Sequence, residues 1–124
     1  MLFRSHLLRF HESRHKVPAD FNVVRWPKLI REVCRKSNVK VEDLDIVLMN
    51  QVELDTVEAT MQVLGLPMSK THWIADRLGY AGSASALMAL DDCRDRGKLK
   101  KGDHLLFCTS GAGFVLAAAL FKWV

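Results

Sequence analysis

The sequence is short of paired cysteines, of metal-ligand spacings and of long apolar runs. Its three cysteines, Cys34, Cys93 and Cys108, are odd in number, and none stands in a C-x-x-C pair. That argues against a disulfide framework and suits a reducing, cytoplasmic compartment. No His or Cys pairs fall at ligand spacing, so no metal is expected. The longest apolar run, residues 114–121, is too short to span a bilayer, so no membrane contact is expected. No internal repeat, linker or low-complexity tract divides the chain.

What is present fits one globular domain. Of the 124 residues, 49% are hydrophobic and 26% charged, a balance that argues against disorder and allows a modest core. The net charge of +4 is concentrated early, in Arg4, Arg9, Arg14, Lys16, Arg25, Lys28, Arg31, Arg35 and Lys36. Such a stretch reads first as a solvated helix face. It can also attract an anionic partner, such as coenzyme A or a phosphopantetheine carrier. Nothing beside it resembles a nucleic-acid reading motif, so nucleic acid is not an expected partner.

The first residues are apolar and Arg-bearing, which raises a transit peptide. They show no small-residue cleavage pattern, and Glu12 follows soon after. An extended segment over residues 1–21 is the better expectation, with an edge strand near residues 6–10 and a loop at Pro18 and Asp20. The domain proper then runs over residues 22–124.

Helical spacing of Trp26, Leu29, Ile30, Val33 and Cys34 predicts a helix over 26–37, with Pro27 in its first turn. Residues 44–50 read as a buried strand, and 53–64 as a helix closed by Gly65. Residues 71–78 read as extended or a short helical turn. Ser83 reads as the N-cap of a buried helix that Gly97 closes near Arg96. Residues 104–109 and 114–123 read as strands joined by a tight turn at Ser110, Gly111, Ala112 and Gly113, hence antiparallel. The sum is an α/β domain, a mixed central sheet flanked by helices and ending in an antiparallel strand pair.

Three segments carry a resemblance. They are LDIVLMNQ at 44–51, DRLGYAGSAS at 76–85, and GKLKKGD at 97–103 followed by a strand and SGAGF at 110–114. In order and spacing they resemble the C-terminal half of ketoacyl-acyl-carrier-protein synthase III enzymes of the thiolase superfamily, from about residue 22 to 123. The resemblance implies a thiolase-like half of a five-layered sandwich. It implies no bound cofactor, with coenzyme A or phosphopantetheine thioesters as substrates and an acyl-carrier protein or acyl-coenzyme A as partner. In that family the N-terminal half carries a cysteine nucleophile, and the C-terminal half supplies a His and an Asn that stabilise an oxyanion. Here Asn50 stands at the His position and Tyr80 follows Gly79 at the Asn position.

Asn50 and Tyr80 are therefore the candidate catalytic residues. Each also has a plainer reading: Asn50 as a strand-end turn former, Tyr80 as an aromatic packed beside a glycine loop. Gly79, Ser83, Gly111, Ala112, Gly113 and Phe114 are the candidate substrate contacts, with φ > 0 expected at Gly111 and Gly113. None of the three cysteines opens a helix beside a base, so none is expected to be a nucleophile. His72 and His104 match no family position and read as exposed or loosely packed. The resulting expectation is half of a composite acyltransferase in fatty-acid or polyketide-type biosynthesis, completed by a cysteine-bearing half. Alone it should be inactive. The alternative is a non-catalytic, divergent or truncated domain serving as a partner subunit. A half should also expose apolar surface, and so form an oligomer or a complex.

Overall fold

The computed structural model describes residues 18–111 and 114–124. Helix α1 (Phe21–Lys36) leads to strand β1 (Ile46–Met49), helix α2 (Leu54–Leu64), the short α3 (Ala75–Leu78), helix α4 (Ser85–Asp95) and strands β2 (His104–Gly111) and β3 (Val115–Lys122). The sheet order is β1-β2-β3. β1 runs parallel to β2 from Ile46↔Leu105 to Met49↔Cys108, and β3 returns antiparallel from Gly111↔Val115 to His104↔Lys122. Within β1, Val47 also makes one isolated parallel bridge to Thr71.

Two cores follow from the two-residue period of β1, which is buried along its whole length. Val47 and Met49 face α1 and α2, where Trp26, Ile30, Cys34, Val57 and Met61 meet Leu106 and Cys108. Ile46 and Leu48 face the other way, against Ile74, Ala89, Cys93 and Leu105. Truncating a fully buried side chain here, such as Ile30, should cost about 2–5 kcal/mol.

Several element ends depart from the sequence expectation. α1 begins at Phe21, five residues before Trp26, so Pro27 lies inside the helix. A proline there forfeits one helical bond and costs about 3 kcal/mol. The buried stripe of Trp26, Ile30 and Cys34, repeating every fourth residue, outweighs that penalty. Asn38 takes φ 54 and Val39 N–H returns to Cys34 O, so the helix stops where Ser37 and Asn38 suggested. Gly65 caps α2 at φ 74, and Leu66 N–H bonds Met61 O, as its position suggested.

α4 corrects the role given to Ser83. A 3-10 turn, Gly82–Ala84, precedes it, and the N-cap position falls on Ala84, which makes no side-chain cap. Ser85 donates to Gly82 O at 2.7 Å instead. The hairpin corrects the turn. Ser110 and Gly111 belong to β2, and Gly111 has no left-handed φ. Phe114, expected to open β3, is the residue at φ 61, and its ring lies 5.4 Å from that of Phe21. Ala112 and Gly113 lie outside the described residues, as do the Ser83 side chain and residues 1–17 of the expected N-terminal segment.

Candidate active site

The C-terminal ends of the parallel strands β1 and β2 converge on Asn50, the residue after β1. Its side chain is 6% exposed. Asn50 Oδ1 accepts the Ser110 N–H at 2.7 Å, and Asn50 Nδ2 donates to Ser110 O at 3.2 Å. The amide thus supplies the next rung after Met49↔Cys108, where the two backbones have parted. Nδ2 also donates to the Tyr80 hydroxyl at 3.2 Å.

Tyr80 reaches Asn50 from the far side of α3. Gly79 ends α3 at φ 71 and ψ −177, a combination open to glycine, and turns the chain so that Tyr80 points back to β1. Two fastenings hold this segment. Gln51 Nε2 donates to His72 O at 2.9 Å, and Gln51 Oε1 accepts the Ile74 N–H at 2.8 Å. Asp92 on α4 accepts from Arg77 of α3 at 2.7 Å, from Arg96 at 2.8 Å, and from His72 Nε2. The Arg77 guanidinium, then His72, hold the Asp92 carboxyl well below the usual carboxylate range.

Asn50, Tyr80, Thr109, Ser110, Gly111, Val115 and Ala117 line one cavity of about 420 Å³. Its walls combine strand-end backbone and the apolar Val115 and Ala117 with the Asn50 amide, the Tyr80 phenol, and the hydroxyl residues Thr109 and Ser110. The structure therefore brings together Asn50, Tyr80 and Gly111. Gly79 shapes the approach, and Phe114 packs on Phe21 instead. A second cavity of about 250 Å³ opens on the α1 side of Asn50, between Asn22, Trp26, Val52 and Glu53.

No thiol serves this cavity. Cys34, Cys93 and Cys108 are all buried. Burial pushes the Cys34 thiol up, with Glu42 adding to it. Burial raises Cys93 to about 11 against the opposing pull of Lys98, and Cys108 to about 12. Each is a structural thiol, as the sequence indicated.

His72 corrects its sequence reading. His72 is buried, 6% exposed, rather than loose. The Lys98 ammonium can only donate, so His72 Nδ1 accepts from it at 2.9 Å and Nε2–H points at Asp92. Half-buried His104 sits at the opposite end of β2, where its backbone N–H bonds Asp45 at 2.8 Å. The Asp92 cluster was missed because only Arg96, one turn on in α4, stands at a helical spacing from Asp92, whereas His72 and Arg77 come from an earlier segment with no spacing to mark them. Ser110 was missed as a partner of Asn50 because it contributes only backbone.

Residues 34–123 match the family described as 3-oxoacyl-[acyl-carrier-protein (ACP)] synthase III C terminal. The beta-ketoacyl-[acyl-carrier-protein] synthase III of Coxiella burnetii (strain RSA 493 / Nine Mile phase I) is 36% identical over 100 residues, 81% of this chain and 31% of that protein. That of Clostridium tetani (strain Massachusetts / E88) is 31% identical over 116 residues, 94% of this chain and 35% of that protein. The solved synthase III of Thermus thermophilus superposes with a TM-score of 0.81 at 31% identity, covering 85% of this chain and 33% of that one. The chain spans about a third of the length of these relatives. Its mixed sheet and closing antiparallel pair are those of a thiolase-like half. The chain belongs to the 3-oxoacyl-[acyl-carrier-protein] synthase III C-terminal family.

Proposed function

We propose that this chain is one half of a composite acyltransferase for acyl thioesters, completed by a cysteine-bearing half. One observation carries the reading. A polar pair, Asn50 and Tyr80, shares a cavity with the β2 strand end, while all three thiols of the chain are buried and protonated. A carbonyl oxygen has a hydrogen-bonding wall here, but the described residues offer no nucleophile to attack its carbon.

The thioester would arrive on coenzyme A or an acyl-carrier protein, both anionic. Of the five α1 cations, Arg31 already donates to Val63 O at 2.7 Å, and Arg35 and Lys36 pair with Glu32 at 3.2 and 3.1 Å. Arg25 stacks over the Phe21 ring at 4.4 Å. Lys28 and Arg25 are therefore the better candidates for carrier contact.

The absence of an imidazole at Asn50 favours simple acyl transfer over decarboxylative elongation, since an amide cannot carry a proton in either direction. The test is reconstitution. The full chain is purified alone and with a cysteine-bearing chain co-expressed from the same genome, and each is given acyl-coenzyme A. Turnover by the complex alone is expected. Turnover by the isolated chain above a boiled control would overturn the composite reading. A complex that binds but stays inactive would favour a non-catalytic partner subunit.

A further inference from the structure

The hydrogen bonds of Asn50 decide which group can meet a substrate. The orientation of its amide is fixed by Ser110, whose N–H requires an oxygen and whose carbonyl requires a donor. An amide nitrogen has two protons. One goes to Ser110 O and the other to the Tyr80 hydroxyl, each at 3.2 Å. Asn50 has no proton left for a ligand, and its remaining lone pair on Oδ1 would repel a carbonyl oxygen.

Tyr80 is in the complementary position. Its oxygen accepts from Asn50, which leaves its own proton to donate. Accepting one hydrogen bond polarises the O–H and strengthens the next. Among the described residues the hydroxyl donates to no other group, and the side chain is 49% exposed beside the cavity with Val115 and Ala117. Its placement is held by the Gly79 bend, by Gln51 on residues 72–74, and by Arg77 on Asp92.

We propose that the Tyr80 hydroxyl is the group that donates to the thioester carbonyl oxygen, and that Asn50 is a positioning residue that aims it. The ligand's identity rests on the acyl-transfer reading above; the division of roles rests on the hydrogen bonds alone.

Tyr80 is the one tyrosine of the sequence, so a 13C label at tyrosine Cζ reports it alone. The labelled full chain is titrated with S-acetyl-N-acetylcysteamine, a thioester, and with S-ethyl-N-acetylcysteamine, its thioether analogue. The thioester should move the Tyr80 signal saturably and the thioether at most weakly, while the Asn50 side-chain amide resonances, coupled only through the Tyr80 oxygen, move less. Tyr80→Phe, at a half-exposed position that the fold tolerates, should weaken thioester binding roughly fivefold to tenfold, about the worth of one hydrogen bond. A Tyr80 signal that the thioester leaves in place, shifts confined to the Asn50 amide, or unchanged binding by Tyr80→Phe would each overturn the assignment. Because this readout needs no turnover, an inactive reconstituted complex with a responsive Tyr80 would sink the acyl-transfer reading and leave the donor assignment standing.

Discussion

At Asn50 one side-chain amide does the job of a peptide unit, offering an acceptor and a donor to the two backbone groups of Ser110. A carboxamide presents both in the planar geometry of a peptide group. In Asn50→Asp a carboxylate oxygen would face the Ser110 carbonyl, leaving that acceptor unpaired and Tyr80 without its donor. The substitution should cost about 1–3 kcal/mol in urea unfolding. An unchanged midpoint would show that the rung contributes nothing. Asn50 and Tyr80 were legible as candidate site residues because sequence motifs marked their positions. Their division of labour was not, because it depends on which protons Ser110 consumes, and a backbone group leaves no trace in residue type.

Among the elements, α3 and α4 are joined by charge rather than by core. α3 has four residues and none is buried, so its place depends on the Arg77–Asp92 ion pair and on the chain held by Gln51. Asp92 titrates below its ordinary value of 3.8 because Arg77, His72 and Arg96 all donate to it. The unfolded chain takes up that proton first. The stability Asp92 supplies is therefore present above about pH 4 and lost as the pH falls below it. Asp92→Asn should lower the thermal midpoint at pH 7 and flatten its decline between pH 4 and 2. An acid limb as steep as that of the parent would reject the assignment. Regular elements were legible where period and punctuation agree, as in β1 and in the Gly65 end of α2. α1 was read short because Pro27 was weighed as a start signal, when the buried face of Trp26, Ile30 and Cys34 overrides it. The hairpin was misplaced because Ser110 and Gly111 look like turn residues but are held as strand by Leu116 and Val115.

Among the described residues the two faces of the sheet are covered unevenly. α1 and α2 shield one face of the sheet, where Leu116, Ala118 and Leu120 of β3 join the core. On the other face α4 lies against β1, with the buried Ala89 and Cys93 in its core. Beside β3 an apolar hollow of about 400 Å³ remains among Leu87, Leu90, Leu105, Phe107, Phe121 and Trp123, with Phe121 54% exposed. This is the surface expected of a half, and it faces water only at a cost. Light scattering of the chain at working concentration should show association, and Phe121→Glu should reduce it. A monomer for both would reject this surface as an interface.

On this reading the chain shapes a thioester site and leaves the nucleophile to a cysteine-bearing half. Intact-mass analysis of the reconstituted complex after brief exposure to acyl-coenzyme A tests it most directly. One acyl group should appear on the cysteine-bearing chain and none on this one. An acyl adduct on Cys34, Cys93 or Cys108 would contradict the account.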